Sequence, residues 1–374
     1  MTPDPLRGPA FGSYRPDEVG WLLTDLSAVA LEAPTEEREE AIQSGGAHYA
    51  ESLPVEFQPD ESYLAVYRSA LASTAGRLAH AVGVVTELVL RERGPDVVLA
   101  SLARAGTPVG ILLRRWAAVR HGLDLPHYAV SIVRGRGIDR VALDHLAAYH
   151  DPSTVVFVDG WTGKGAINRE LAAALAQDGR GFDPDLAVLA DPGRCARTFG
   201  TRDDWLIASA CLNSTVSGLV SRTVLNDRFI GPGQYHGAKF YSELAGADVS
   251  TDFLDAVAAG FASVDDTSAP ADREPDHAGW AAVERIVQRY GIGDVNLVKP
   301  GVGETTRVLL RRVPWKVLTR TGAPEADLAH VRLLAAQRGV PVEEVDDLPY
   351  SCVGIIHPRF TRGATGADGR AATG

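Results

Sequence analysis

The sequence predicts an α/β protein in two parts: a parallel sheet flanked by helices, then a small α/β/α domain at the C-terminal end. Three observations predict it. Before residue 262, short β-branched apolar runs alternate with segments of helical period. Those runs are continuous rather than alternating, as expected of strands covered on both faces. An acidic stretch with two prolines and no period, Ala262–Gly279 (ASVDDTSAPADREPDHAG), then leads into a segment of opposite charge balance.

In order, the predicted strands are Val97–Ser101, Tyr128–Ile132, Val155–Asp159, Leu186–Leu189 and Trp205–Ala208, and the predicted helices are Tyr63–Leu90, Val109–His121, Asp139–Tyr149 and Ala166–Gln177. A parallel sheet of this kind binds ligands past the carboxyl ends of its strands. The boundaries that follow are 11–261 for the larger domain, 262–279 for a linker, 280–360 for the smaller domain and 361–374 for a disordered tail.

The 374 residues, with 45% apolar and 23% charged side chains, suffice to bury a sizeable core. No apolar run approaches the ~20 residues that span a bilayer, and Met1–Pro9 is polar and proline-rich, so neither a membrane span nor a secretory signal is expected. Three cysteines, Cys195, Cys211 and Cys352, make a disulfide framework improbable, and the expected place is the reducing cytoplasm. The net charge of −11 is uneven: residues 285–374 hold 13 Lys and Arg against 9 Asp and Glu. A mildly basic module on an acidic body hints at a polyanionic partner.

The densest chemistry lies in Val155–Leu171 (VVFVDGWTGKGAINREL). An apolar run ends on Asp159, and three glycines and a lysine precede a helical pattern. The spacing is too short for a Walker A loop, and Gly165 stands where the magnesium-binding hydroxyl belongs. No dinucleotide fingerprint follows any strand. What remains is a glycine-rich turn opening a helix, whose amides suit one phosphate, beside an acid suited to sugar hydroxyls. The same turn without a ligand is an ordinary strand-to-helix connection.

This turn resembles the phosphate loop of type I phosphoribosyltransferases, in which an apolar run and two acids precede a Thr/Gly-rich turn. Val155–Val158 and Asp159 match; Gly160 replaces the second acid and Lys164 stands among Thr162, Gly163, Gly165 and Ala166. A second loop, Ser101–Pro108 (SLARAGTP), sits where that family binds pyrophosphate, with Arg104, Ala105, Gly106 and Thr107. Val133–Arg140, holding Arg134 and Arg136, takes the place of the family's mobile segment. The resemblance implies phosphoribosyl pyrophosphate as substrate with an unknown nitrogen base as acceptor, Mg²⁺ as cofactor, Arg104 and Lys164 on phosphate oxygens, and Asp159 on the ribose or a magnesium-bound water.

Ser209–Leu225 (SACLNSTVSGLVSRTVL) is rich in small hydroxyls and contains Cys211. Over nearly its full length the chain resembles the StiP family, through HYAESLP (His48–Pro54), SLARAGTP, VDGWTGKGAI, CLNSTVSGLVSRTV and VNLVKPGVGETTRVLLRRVPWK. Members of that family occur with tellurium-resistance and stress genes. They carry the label cysteine protease, although their body is described as phosphoribosyltransferase-like. A peptidase needs a thiolate paired with histidine. Cys211 with His236 is the leading pair, with His48 and His357 as other partners. Against this stands an ordinary buried cysteine after an apolar strand.

Asp294–Ile356 resembles the RNA-binding domain shared by Pelota and L7Ae proteins, whose helix start reads Gly-x-Asn-Glu-x-Thr-Lys. Gly301, Glu304, Thr306 and Arg307 match, and Gly303 replaces the asparagine. The resemblance implies backbone contact with RNA through helix N-terminal amides, Lys299 and Arg307. Three functions thus remain open: phosphoribosyl transfer, favoured by the two phosphate loops; a cysteine peptidase; and a non-catalytic nucleotide or RNA sensor.

Overall fold

The computed structural model describes residues 2–33, 50–56 and 58–357. The chain begins with β1 (Gly20–Leu22), β2 (Thr24–Asp25), β3 (Glu32–Ala33) and β4 (Leu53–Pro54), then a 33-residue helix, α1 (Glu61–Arg93). There follow β5 (Val98–Leu102), α2 (Gly106–His121), β6 (His127–Val130), the short hairpin β7 (Ile132–Val133) and β8 (Gly137–Ile138), and α3 (Arg140–Tyr149). Next come β9 (Val155–Trp161), α4 (Ala166–Asp178), β10 (Leu186–Ala190), β11 (Phe199–Thr201), β12 (Gly237–Ala238) and α5 (Ser250–Ala258).

The central sheet is six-stranded and wholly parallel, in the order β1-β6-β5-β9-β10-β11. Its strands are apolar at successive positions because both faces are covered. Leu99, Val156, Val158, Ala187 and Leu189 pack with α1, α2 and α5 in one cluster. Val98, Ala100, Val155, Phe157 and Val188 pack with α3 and α4 in another. Asp139 starts α3 by accepting the amides of Val141 and Ala142 at 2.9 and 3.2 Å.

The C-terminal part contains α6 (Ala278–Arg289), β13 (Val298–Pro300), α7 (Val302–Arg311), β14 (Pro314–Arg320), α8 (Glu325–Gln337), β15 (Val342–Val345) and β16 (Cys352–Ile356). Its sheet runs β13-β16-β14-β15, antiparallel except for the β14–β15 pair. Ala282, Val283 and Ile286 of α6 cover one face with Leu318, Val353 and Ile355. On the other face Val302, Leu309, Val317, Leu328 and Val331 join the core of the larger domain.

One sequence expectation needs correction. Trp205–Ala208 is not a strand: Trp205, Leu206 and Ile207 are buried in the seam between the two domains, and a 3-10 turn, Ala208–Cys211, follows. The edge strand is instead β11, and β1 closes the other edge. Cys352–Ile356 forms β16, a fully buried inner strand of the C-terminal sheet. The stretch 262–279 is pinned to the body by ion pairs, including Arg194 with Asp272 and Asp276 at 2.9 and 2.5 Å. The expected tail, 361–374, lies outside the described residues. Among the described residues no helix is long and apolar enough to cross a membrane.

Candidate functional site

From β5 the chain adds β6 on one side and β9 on the other, so the loops after β5 and β9 flank the point where strand order reverses. Arg104, Ala105, Gly106 and Thr107 lie in the first loop and at the start of α2; Asp159, Gly160 and the turn 162–165 lie on the second. Gly106 is required there, because a Cβ would come within 2.4 Å of the Val158 carbonyl oxygen. Thr107 is fully buried, and among the described residues its hydroxyl has no hydrogen-bond partner.

Asp159 keeps an edge at the cleft surface, yet its carboxyl is enclosed by protein. Burial raises its pKa to about 7, with the Gly160 amide, donated at 2.8 Å, pulling the other way. Asp159, on β9, is among the residues that line the cleft.

The expected phosphate turn is engaged by its own neighbours. Thr162 donates its hydroxyl to buried Asp191 at 2.6 Å and accepts the Gly193 amide at 3.1 Å. The Tyr350 hydroxyl donates to the Gly163 carbonyl at 3.1 Å. Lys164 donates to the carbonyls of Val295 and Val298 at 2.8 and 3.1 Å, tying the turn to the C-terminal domain. Burial, with Lys299 and Arg134 nearby, lowers the Lys164 pKa to about 8. Gly165, with φ of 71°, precedes Ala166 at the start of α4. The segment expected to be mobile is the β7–β8 hairpin, held by Glu170, which accepts the amides of Gly135 and Gly137 at 2.8 and 3.0 Å. Within it Arg136 faces Glu51 at 3.8 Å, and Arg134 donates to Asn296 at 3.4 Å.

Of the residues matched to RNA contact, Gly301 lies against Asp204 of the larger domain, and Lys299, Glu304 and Arg307 line a cleft shared with it. The N-terminus of α7 is occupied: Asp204 accepts the Val302 amide at 2.9 Å, and its other oxygen accepts the Ser351 amide at 2.8 Å. Gly301, with φ of 93°, makes the turn into that helix. Thr306 is fully buried, donating to the Val302 carbonyl at 2.7 Å and meeting His330 at 2.9 Å. Glu304 accepts from Arg307 at 2.7 Å. Burial opposes its ionisation, but Arg307, Lys299 and Lys164 outweigh that and hold its carboxyl below the usual range. Lys299, Glu304 and Arg307 line a cleft of about 350 Å³ whose opposite wall carries Asp159, Lys164 and Arg134.

All three cysteines are free and buried. Cys211, fully covered, ends the turn that meets α1 and α7, and Arg311 donates to its carbonyl at 2.6 Å. Burial pushes its thiol up to about 12, while Arg311 and Arg307 draw it down. Cys195 is pushed up to about 12 by burial and then by Asp191, and Cys352 well above its ordinary value by burial and Asp204. The expected Cys211–His236 pair is not assembled. His236 meets Ser131 at 2.9 Å, its amide donates to Asp139 at 2.6 Å, and among the described residues no interaction joins it to Cys211. Burial holds the His236 imidazole below its ordinary pKa. His48 lies outside the described residues. His357 lies 6.1 Å from the Trp315 ring, centroid to centroid.

Residues 12–258 match the family described as "Tellurite-like stress resistance cysteine protease StiP". The chain belongs to the StiP family. Residues 277–358 match the PELOTA RNA binding domain, as the sequence resemblance implied. The curated protein "Cysteine protease StiP" of Acinetobacter baylyi (strain ATCC 33305 / BD413 / ADP1) is 35% identical over 363 residues, 92% of this chain and 94% of that protein.

These findings overturn phosphoribosyl transfer as the leading activity, and with it phosphoribosyl pyrophosphate as the partner: the StiP family and this relative are named cysteine proteases, not transferases. The engaged turn at 162–165 gives a physical reason for the error, since Gly165 packs closely against Cys195 and Lys164 ties two domains. The magnesium expected with that chemistry has only the lone acid Asp159 as its proposed ligand. Among the described residues no group of three or more His, Cys, Asp or Glu side chains is placed to hold a metal ion. Asp191, Asp204 and Tyr350, which organise the region, went unnoticed in the sequence because each acts on a partner more than 25 residues away.

Proposed function

We propose that this chain is a cysteine peptidase with Cys211 as its nucleophile. The observation that carries this choice is the charge around the three thiols. Burial is the largest influence on all three; beyond it, Cys195 and Cys352 face acids as well as one cation each, Arg169 and Arg332, whereas the charged groups acting on Cys211, Arg311 and Arg307, are both cations that favour the thiolate. In the arrangement described here burial outweighs them, so catalysis requires α7 to move off the turn that ends at Cys211. His48 is the proposed base. The residues that follow it are tied to the chain just beyond Cys211: Leu225 donates to Ala50, Asn226 to Glu51 and Arg222 to Ser52, and Glu56 accepts from Ser214. The three unpaired thiols favour the cytoplasm as its place of action.

The test is cleavage of a denatured protein substrate by the full chain, with each cysteine and His48 replaced in turn. Cys211→Ala and His48→Ala are expected to abolish turnover, and Cys195→Ser and Cys352→Ala to retain it. Turnover that survives Cys211→Ala, or is lost only with Cys195→Ser, would overturn the assignment.

A further inference from the structure

We infer that the cleft between the carboxyl edge of the central sheet and the C-terminal domain binds a small phosphate-bearing anion, walled by Lys299 and Arg307. The cleft, at about 350 Å³, has the volume of a small-ligand site. Lys299, on β13, is half-buried, and among the described residues its ammonium makes no hydrogen bond and no ion pair closer than 4.0 Å. Arg104, from the loop after β5, likewise has no side-chain partner among the described residues. Unpaired cations withdrawn from water are costly, and they persist where an anion completes them.

The surrounding charges add to that cost. Lys299 faces Arg312, Arg307 and Arg134, with Glu304 as the carboxylate that favours its charge. Arg104 is held below its ordinary pKa by burial and by Arg307, with Glu56 opposing. Glu304 is already paired with Arg307, and Asp159 is partly protonated near neutrality. Cations therefore outnumber available carboxylates around one cavity. Because Asp204 occupies the N-terminus of α7, recognition rests on side chains rather than helix amides. Several converging cations, two of them forked guanidinium groups, match a phosphoryl dianion or diphosphate better than a single carboxylate. The ligand is held without any transfer step, and the site is independent of the thiol chemistry proposed above.

The experiment is calorimetry of the full chain at fixed ionic strength with inorganic pyrophosphate, adenosine 5′-monophosphate, adenosine, a succinylated peptide, and a short oligoribonucleotide with and without its 5′-phosphate. Pyrophosphate and the monophosphate are expected to bind saturably and adenosine not to bind, with affinity falling as salt rises. Lys299→Met and Arg307→Met should each weaken pyrophosphate at least about tenfold. Lys299→Arg should rescue binding, and Lys316→Met and Cys211→Ala should bind as the parent does. Lys299→Met should also melt no lower than the parent without ligand, because it removes an unpaired cation. An oligonucleotide that binds only with its 5′-phosphate, in competition with pyrophosphate, identifies an RNA end as the source of the same group. Absence of saturable pyrophosphate binding, unchanged affinity in Lys299→Met, tighter binding of the succinylated peptide, or oligonucleotide binding indifferent to the 5′-phosphate would each overturn the inference.

Discussion

Asp159 shows what a single side chain at this cleft costs the fold. Its carboxyl titrates near 7 in the folded chain because burial opposes charge, and its hydrogen bond to the Gly160 amide recovers only part. The unfolded chain releases this proton near pH 4, so between about 4 and 7 the folded state binds more protons than the unfolded one. Stability contributed by the neutral carboxyl is therefore present below the unfolded value and lost as pH rises through the folded value. Asp159→Asn keeps an acceptor for Gly160 and cannot ionise. Three pKa units correspond to about 4 kcal/mol; discounted for the partial exposure of the side chain, the variant should be more stable than the parent by roughly 2 kcal/mol at pH 8. At pH 4 the two should be equal. Chemical denaturation at both values checks this, and a variant weaker at pH 8 would mean that a cation already compensates the carboxylate. At this scale the sequence was partly legible. An apolar run ending on an acid marked Asp159, and a helix-start motif marked Lys299, Glu304 and Arg307. It did not show that Thr306 is fully buried or that His236 is bound to Ser131 and Asp139, because those fates depend on partners remote in the chain.

Among the elements, α7 depends most on a residue outside its own domain. Its first amide, at Val302, is donated to Asp204, whose other oxygen holds Ser351 at the entry to β16. Removing that carboxylate leaves two buried amides without acceptors at once. Asp204→Ala is therefore expected to cost about 2–4 kcal/mol, at the scale of one to two orphaned buried donors, whereas Asp204→Asn should cost less because one acceptor oxygen remains. Urea denaturation compares them; equal losses would show that charge, not acceptance, is what α7 uses. Long elements could be read from period and composition: α1, α2, α3, α4, β5, β9 and β10 all fall close to their expected places. Short ones could not. Three residues in β1 or β11 carry no period, and Trp205–Ile207 reads as a strand because burial between domains selects the same apolar residues as burial in a sheet.

Across the whole molecule, the two domains share one core rather than meeting at a polar hinge. Leu309, Val317, Leu328 and Val331 cluster with Trp205, Ile207 and Leu78. Arg77 reaches Asp327 at 2.6 Å across the boundary. The charge asymmetry along the chain hinted at this only indirectly, since a basic segment that pairs with an acidic body looks, in sequence, like one awaiting a polyanion. If the core is shared, overpacking at the seam should loosen both halves together. Gly279 tests this, because a Cβ there would come within 2.2 Å of the Tyr350 hydroxyl and 2.8 Å of the Gly193 Cα. The backbone of Gly193 cannot yield as a flexible side chain would, so Gly279→Ala is expected to lose about 1–3 kcal/mol. Hydrogen exchange read at β9 and at β16 should then accelerate in parallel, with a single unfolding transition. Faster exchange confined to β16 would mean that the C-terminal domain opens alone, and that the cover α7 places over Cys211 is lifted without disturbing the body.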